Sequence, residues 1–314
     1  MGRRAAECIL HGIVTAVVVM MVLRAQRIRN PEARLRCWLF AMAVPLLGTP
    51  LFWLLSPWRL DEHFRDRWAL FSASHSSPWA WHGVELATAL AWLLAFAGAA
   101  LFLRDVIPFV LDFARGRSVK RTATSPSAVL AGAVERAAAA LSIALPRLTL
   151  LQSQHPILSC RGLRKPVIVA STGLCEMLSP DELASAIAHE MAHVKHRDPM
   201  LGWGLMSVRA LCFFNPAVQL AARAAAGEIE RRADRSAACV VGNTRSLVDS
   251  LRKLAGSASA SHLSRSWHRL RVAAIEERCQ ALLREKNTDP TAISPWMLLA
   301  TAMGLGAILF LTVA

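Results

Sequence analysis

The chain has 314 residues, of which 54% are hydrophobic, and its formal net charge at pH 7 is +14. This apolar content exceeds that of an ordinary soluble domain, so we expect a membrane part beside a folded domain. Most of the positive charge lies in arginine runs next to apolar segments, which indicates membrane topology; we expect the lipid bilayer, and no nucleic acid, as a partner. The seven cysteines are odd in number and form no C-x-x-C pair, which argues against a disulfide framework and favours a reducing compartment.

Four apolar segments are long enough to cross a bilayer, and they are predicted at about residues 5–23, 38–55, 79–103 and 295–314. By the positive-inside rule, the arginine-rich loops after the first and third segments should face the cytoplasm. Both loops indicate the same multi-pass topology in the cell membrane, with the N- and C-termini outside. The first segment is interpreted as a retained anchor, because no small-residue cleavage site precedes the charged run.

Composition sets the remaining boundaries. Residues 1–112 are assigned to the membrane domain, 113–126 to a basic linker and 127–289 to a domain on the cytoplasmic side. Short apolar runs near 147–152 and 166–170 have the character of strands, and they predict a small sheet within a mostly helical domain.

The run from Leu201 to Phe214 is apolar enough to suggest another span. However, the interval between His193 and Glu230 is too short for two spans of about 20 residues each and a turn. We therefore expect Leu201–Phe214 to be buried or to lie on the membrane surface, with Asn215 and Pro216 separating it from the next helix.

The segment from His189 to His193 spells H-E-x-x-H. Ser179-Pro180-Asp181-Glu182 predicts a capped helix start upstream, so the motif falls well inside a helix. On a helix, residues four apart share a face, and both imidazoles can reach one metal ion. Glu190, beside them, could accept a proton from a water molecule activated by that metal.

A catalytic zinc ion needs a third protein ligand. His196 shares the helix face, but no glycine turn precedes it, and an exposed polar residue is the favoured interpretation. Glu228 and Glu230 lie on a later helix, where Glu230 and Asp234 share a face. One carboxylate can bind metal while the other fixes a ligand histidine. Glu230 is preferred as the ligand and Asp234 as its supporting partner; solvated helix charges paired with neighbouring arginines are the alternative.

The runs Leu183–Asp198, Phe213–Pro216 and Glu230–Asp234 resemble the gluzincin membrane metallopeptidases. Two branches are similar: the HtpX and CAAX prenyl protease branch and the BlaR/MecR antirepressor branch. The Phe-Asn-Pro element, and three spans before the peptidase with one after it, look more like the BlaR/MecR branch. The resemblance implies a mainly α chain with four transmembrane helices and a cytoplasmic α+β zincin (gluzincin) peptidase domain that has a small sheet.

The resemblance also implies a zinc-dependent endopeptidase that acts on a protein or peptide substrate at the cytoplasmic membrane face, in repressor cleavage or quality control. One Zn²⁺ per chain would be held by His189, His193 and Glu230, with Glu190 as the general base. No penicillin-binding sensor domain follows the last predicted span, so direct sensing of a β-lactam is not expected. The oligomeric state stays open.

Such peptidases usually add a second electrophile at the oxyanion, and this chain has no tyrosine to supply it. Asn215, His262 and His268 are the candidates, and the sequence does not rank them. Substrate binding by strand addition to the small sheet is expected, because backbone hydrogen bonds make weak demands on sequence.

Two functions of other classes stay open. The chain could be a membrane signalling scaffold with a non-catalytic zinc site. Alternatively, the basic domain could bind nucleic acid or anionic lipid, with the motif accidental.

Overall fold

A computed structural model describes residues 3–68, 80–81, 84–116, 123–124, 127–161, 166–257, 265–284 and 295–311. Within these residues the chain is mostly helical with a small mixed sheet, as predicted. The chain forms two compact units. The first contains Met1–Gly116, Gly204–Glu228 and Pro290–Ala314, and the second contains Arg117–Trp203 and Ile229–Asp289.

The first unit contains the apolar helices. Its main helices are α1 (Arg3–Ala25), α2 (Pro31–Ala43), α3 (Thr49–Leu55), α4 (Glu62–Trp68) and α5 (Leu86–Gly116). A π-helical stretch (Val44–Gly48) joins α2 to α3, and a 3-10 turn (Pro57–Leu60) precedes α4. Two short strands, β1 (Ala80–Trp81) and β2 (Val84–Glu85), pair with each other before α5.

Three of these helical stretches are long and apolar enough to cross a membrane: Ala5–Ala25, Pro31–Leu55 and Thr88–Ile107. They confirm the first three predicted spans. The helical stretch of the second predicted span begins at Pro31, earlier than residue 38, because Asn30 caps α2 and Pro31 occupies its first turn. Hydropathy alone does not detect this polar start.

The third and fourth predicted spans differ in outcome. The helix of the third predicted span, α5, starts at Leu86 and continues past residue 103 to Gly116. Residue 79, where this span was predicted to begin, lies outside the described residues. At the end of the described chain, α13 (Pro295–Leu311) is apolar and has 17 residues. Its role as a fourth span stays a prediction, as do the boundaries of the linker at 113–126, most of which lies outside the described residues.

The second unit contains a four-stranded sheet in the order β3–β4–β6–β5. β4 and β6 are parallel, while β3 and β5 pair antiparallel with their neighbours. The strands are β3 (Ala123–Thr124), β4 (Arg147–Leu151), β5 (Leu158–Arg161) and β6 (Val167–Ser171). β4 and β6 match the two predicted strands. β5 was not predicted, since four residues are too few to show clear alternation, yet it forms the edge of the sheet.

Seven more helices precede α13 in the described part of the chain. They are α6 (Ala128–Leu141), α7 (Thr172–Met177), α8 (Pro180–His196), α9 (Asp198–Leu211), α10 (Pro216–Val241), α11 (Thr244–Ser257) and α12 (Arg265–Arg284), of which α6 precedes β4. The break between α9 and α10 falls at Asn215 and Pro216, as predicted. The apolar run Leu201–Phe214 becomes α9 and the turn after it, and from Gly204 onward it belongs to the first unit.

The helix that carries the H-E-x-x-H motif, α8, is fixed at both ends and along one face. The Ser179 hydroxyl accepts the Glu182 N–H at 3.4 Å, and the Glu182 carboxylate accepts the Ser179 N–H at 2.8 Å, so the predicted capping box is present. The helix ends at His196, and the residue that caps it, Arg197, has a left-handed φ of 56°. Leu183 and Ile187 are buried in a core shared with α6 and α11. This packing sets the direction of the motif side chains.

Candidate metal centre

Three potential metal ligands converge in the second unit. His189 and His193 lie one turn apart on α8, and Glu230 lies on α10. The two Nε2 atoms are 3.1 Å apart; Glu230 Oε2 is 3.5 Å from His189 Nε2, and Glu230 Oε1 is 3.8 Å from His193 Nε2. One ligand atom from each residue lies within 4.8 Å of the other two, an arrangement that could hold a single metal ion.

The far side of each imidazole faces a carboxylate. His193 Nδ1 hydrogen-bonds Asp198 Oδ2 at 2.7 Å, and His189 Nδ1 lies 2.9 Å from Asp234 Oδ1. A carboxylate acceptor favours the proton on Nδ1, which leaves each neutral ring with an Nε2 lone pair directed at the same point. Tetrahedral zinc with nitrogen ligands has neighbouring ligand atoms about 3.3 Å apart. The observed Nε2–Nε2 separation of 3.1 Å is close to this spacing, so the two imidazoles fit a shared zinc ion.

Arg278 of α12 joins the two acidic residues of the site. Its Nε and Nη2 atoms donate to Asp234 at 2.8 and 2.7 Å, and its Nη1 lies 3.0 Å from Glu230 Oε2. Burial would raise the pKa of Glu230, but His189 and Arg278 bring it down to about 2. Burial likewise opposes ionisation of Asp234, yet Arg278 and His189 hold its pKa below the ordinary value. Both carboxylates are therefore ionised at neutral pH.

The same charges act on His189. Burial favours its neutral form, but Asp234 and Glu230 outweigh burial and raise its pKa to about 10. Without a metal ion this imidazole therefore keeps a second proton at neutral pH. A metal ion must replace that proton in order to use Nε2 as a ligand.

Asp198 was not assigned a role from the sequence. It begins α9, five residues after His193, and its buried carboxylate also accepts a charge-assisted hydrogen bond from Arg232. Its position just after the motif helix could have indicated a partner for His193. Arg278 had no comparable signal, since it lies on a helix far along the chain from Glu230.

Glu190 lies against the edge of the sheet. Its Oε2 accepts the backbone N–H of Cys160, in β5, at 2.8 Å. The carbonyl of Ile157 accepts the N–H of Ser171, and backbone groups along an antiparallel strand point alternately toward the partner strand and away from it. Odd-numbered residues of β5 therefore face β6, and the N–H of Cys160 points away from it. Burial, Glu190 and Asp198 raise the pKa of the Cys160 thiol to about 11, so it is uncharged at neutral pH.

The two other ligand candidates lie elsewhere. His196 Nε2 is 3.1 Å from the hydroxyl of Ser236. Glu228, in the first unit, accepts a hydrogen bond from Arg34 Nε at 2.6 Å. Among the described residues the cluster that could hold a metal contains Glu230 and neither of these side chains.

The oxyanion candidates have separate outcomes. Asn215 is fully buried in the first unit, where its Oδ1 accepts N–H groups from the first turn of α10 and its Nδ2 donates to the Cys8 carbonyl at 2.8 Å. The two N–H groups that Asn215 accepts make it the N-terminal cap of α10. His262 lies outside the described residues, and only the backbone of His268, in α12, is described. A role at the oxyanion stays a prediction for all three.

Comparison with known proteins adds to this geometry. The model of the BlaR1 peptidase M56 family matches residues 60–282. Protease HtpX homolog 2 of Methanosarcina mazei is 37% identical over 71 residues, which is 22% of this chain and 24% of that protein. The Protease HtpX homolog of Thermodesulfovibrio yellowstonii is 35% identical over 71 residues, which is 22% of this chain and 25% of that protein. The Protease HtpX homolog of Desulfatibacillum aliphaticivorans is 34% identical over 76 residues, which is 23% of this chain and 24% of that protein.

The chain thus matches about a quarter of the length of these HtpX relatives. The family match is much longer and includes the two histidines, Glu190 and Glu230. Both findings confirm the resemblance drawn from the motif residues. Because the match covers well over half of the sequence, this membrane protein belongs to the BlaR1 peptidase M56 family.

Proposed function

We propose that this protein is a zinc-dependent endopeptidase that hydrolyses peptide bonds of a protein substrate at the cytoplasmic face of the membrane. The observation that carries the proposal is the convergence of His189, His193 and Glu230 on one point, with Glu190 on the same helix as the histidines. Membership of a peptidase family agrees with this chemistry.

His189, His193 and Glu230 would hold the metal. A zinc ion held there would supply Lewis-acid chemistry, which would lower the pKa of a water molecule and polarise a substrate carbonyl. Asp234 and Asp198 hold the imidazoles with Nε2 directed inward. Hydrogen bonds from Arg278 to Asp234 and from Arg232 to Asp198 keep both carboxylates in place as acceptors.

Glu190 is the proposed general base. Its carboxylate accepts the proton of the attacking water as the C–O bond forms, and it returns that proton to the amide nitrogen as the C–N bond breaks. The hydrogen bond from the Cys160 N–H holds the Glu190 carboxylate beside the sheet edge. The carboxylate therefore needs little motion to reach the attacking water.

The edge strand β5 supports the predicted mode of substrate binding. Its outward backbone groups face away from β6; the Cys160 N–H donates to Glu190, and the groups of Leu158 and the Cys160 carbonyl can pair with an extended polypeptide. A substrate added as a strand would pass next to Glu190. Because main-chain groups make these bonds, selectivity for the substrate sequence would come from side-chain pockets or from delivery at the membrane.

The side of the membrane is part of the proposal. The arginine-rich loops after the first and third spans favour a cytoplasmic peptidase domain at 127–289 with both termini outside. A cytoplasmic regulator such as a repressor, or a damaged membrane protein, fits this position as substrate.

The test is Glu190→Gln in the full chain in its native membrane. We expect the variant to keep one zinc per chain, to lose proteolysis and to retain substrates that co-purify with it, which mass spectrometry identifies. Glu176→Gln, at an exposed residue of α7, is the matched control and should behave as wild type. Wild-type rates in Glu190→Gln, or zinc content near zero in the wild type, would overturn the proposal.

A further inference from the structure

Residues Gly204–Glu228 form two helical arms within the first unit. Gly204–Leu211 is the end of α9, Pro216–Glu228 is the beginning of α10, and residues 212–215 form the turn between them. The longer arm measures about 20 Å at the helical rise. That is well short of the hydrocarbon thickness of about 30 Å, so neither arm can cross a bilayer. We call this segment the hairpin.

Both arms contact α5 at the same level. Arg209 of the first arm and Arg223 of the second both pair with Asp105, at 2.6 and 2.9 Å. Asp105 is close to the end of the apolar stretch Thr88–Ile107. A membrane boundary at this point explains why three charged side chains gather there and neutralise one another in part.

The turn of the hairpin lies deeper along α5. A Cβ atom added at Gly98 would be 2.5 Å from the carbonyl carbon and oxygen of Phe214, so backbone packs directly on backbone there. Gly98 stands at the middle of Thr88–Ile107 and about 10 Å along the helix from Asp105. On α1, a Cβ atom at Gly12 would be 2.7 Å from Asn215 Nδ2. The turn therefore reaches the centre of the apolar helices.

Polar groups at the turn are satisfied inside the protein. Besides capping α10, Asn215 donates to the Cys8 carbonyl. Gln219 is fully buried; its Nε2 donates to the carbonyls of Arg209 and Cys212 at 3.0 and 3.1 Å, and its Oε1 accepts from Arg209 Nε at 3.0 Å. Arg209 lies in the last turn of α9, and the Cys212 carbonyl also accepts the Asn215 N–H at 2.9 Å. Non-helical backbone is tolerated at membrane depth only under such conditions.

The two faces of the hairpin differ in side-chain size. The buried face of the second arm is rich in alanine, with Ala217, Ala221, Ala222 and Ala225 beside Val218 and Gln219, as is common where membrane helices pack closely. The outward face carries three large apolar side chains: Leu211, Phe213 and Leu220 are 64%, 48% and 56% exposed. In water such side chains would form an apolar patch at the edge of the unit.

We propose that Gly204–Glu228 is a re-entrant hairpin that enters the bilayer at the level of Asp105, turns at mid-depth beside Gly98 and returns to the same side. Lipid acyl chains are the partner of Leu211, Phe213 and Leu220. This inference rests on packing within the first unit and is independent of catalysis.

The first test reads the depth of the turn in the full chain. Phe213→Cys is treated with a membrane-impermeant maleimide in right-side-out and in inside-out vesicles, and modification is read at that peptide by mass spectrometry. We expect no reaction in either orientation and full reaction after denaturation. Leu145→Cys, at an exposed leucine of the second unit, should react in one orientation. Reaction of Phe213→Cys from the side on which Leu145→Cys reacts would indicate a surface helix, and reaction from the other side would indicate a full crossing; either overturns the proposal.

Footprinting of the wild-type chain covers the case in which the cysteine variant misfolds. In phosphatidylcholine vesicles, a hydrocarbon-soluble aryl diazirine should label Leu211, Phe213 and Leu220, and hydroxyl radicals in water should not. Leu145 should show the opposite pattern. Radical labelling of Phe213 at the level of Leu145 would contradict the re-entrant position.

Substitution at Gly98 tests the packing that positions the turn. Gly98→Ala should lower the melting temperature and open Phe213→Cys to the maleimide, because the added methyl group meets Phe214 backbone. Gly227→Ala is the matched control, since a Cβ there has nothing within 4 Å. If Gly98→Ala matched Gly227→Ala in both measurements, the turn would not lie against α5.

Discussion

The Arg278 guanidinium donates two parallel hydrogen bonds to the Asp234 carboxylate, at 2.8 and 2.7 Å. Asp234 is in turn 2.9 Å from His189, so one arginine on α12 orients a proposed metal ligand on α8 through a carboxylate on α10. Both side chains are mostly buried, which keeps the pair from being screened by solvent. The histidine is thereby held in a chain of fixed contacts.

Replacing Arg278 should therefore weaken zinc binding although it is not a ligand. Arg278→Lys keeps the charge but cannot reproduce the two parallel bonds. We expect zinc affinity to fall by about 10- to 100-fold, the usual cost of losing such support, as measured by competition with a chelating dye. Arg252→Lys alters an exposed pair with Glu276 and is the control. Wild-type affinity in Arg278→Lys would show that Asp234 needs no support.

The raised pKa of His189 predicts proton release when zinc binds. In the metal-free protein this imidazole titrates near pH 10, and its unfolded value is about 6.5. Its protonation stabilises the metal-free fold fully below the unfolded value and loses that effect as pH rises through about 10. Zinc, which needs the neutral ring, therefore binds more tightly as pH rises.

Calorimetry in buffers of different ionisation enthalpy measures this release. We expect about one proton from His189 per zinc bound at pH 7.5. Asp234→Asn should reduce the number, because it removes a carboxylate that holds the proton. Equal release from both proteins would mean that Asp234 does not set the pKa of His189.

Glu230 and Glu228 lie two residues apart on α10 but have different partners, which makes them a matched pair. Glu230→Gln should lower the zinc content of the purified chain well below one per protein and abolish proteolysis, since it removes an anionic ligand. Glu228→Gln changes a carboxylate that pairs with Arg34 and should keep its zinc. Elemental analysis of the two variants checks this, and full zinc occupancy in Glu230→Gln would contradict the ligand assignment.

Cys160 allows the backbone contact of Glu190 to be separated from the thiol. Cys160→Pro removes the N–H but no sheet bond, because that N–H points away from β6, and proline is tolerated at such edge positions. Losing a hydrogen bond to a carboxylate should lower kcat about tenfold. Cys160→Ser keeps the N–H and should stay near wild type. Equal loss in both variants would assign the effect to the thiol instead.

Local features of the site could be predicted from the sequence. The capping box at Ser179 and the i, i+4 spacing of the histidines depend only on neighbours along one helix, and both are present. The preference for Glu230 over Glu228 came from its four-residue spacing to Asp234, and the resemblance strengthened it against the alternative of solvated helix charges. Hydropathy located three apolar spans, since length and composition determine that property.

Contacts between distant segments could not be predicted in this way. Arg278 reaches Asp234 across 44 positions, and Cys160 reaches Glu190 from a strand too short to recognise. The apolar run before Asn215 could be buried or exposed by composition alone. Only the close approach of Gly98 to Phe214 shows what it packs against.

The contacts of Asn215 also bear on how this protein can be handled. A fragment that starts at Ser127 would retain Gly204–Glu228 but lack Cys8, Gly12 and Gly98, the partners of its turn. Its alanine face and its large apolar side chains would both meet solvent, and aggregation or detergent binding should follow. The peptidase part of the sequence is therefore no separable module, and its enzymology requires the intact chain in lipid.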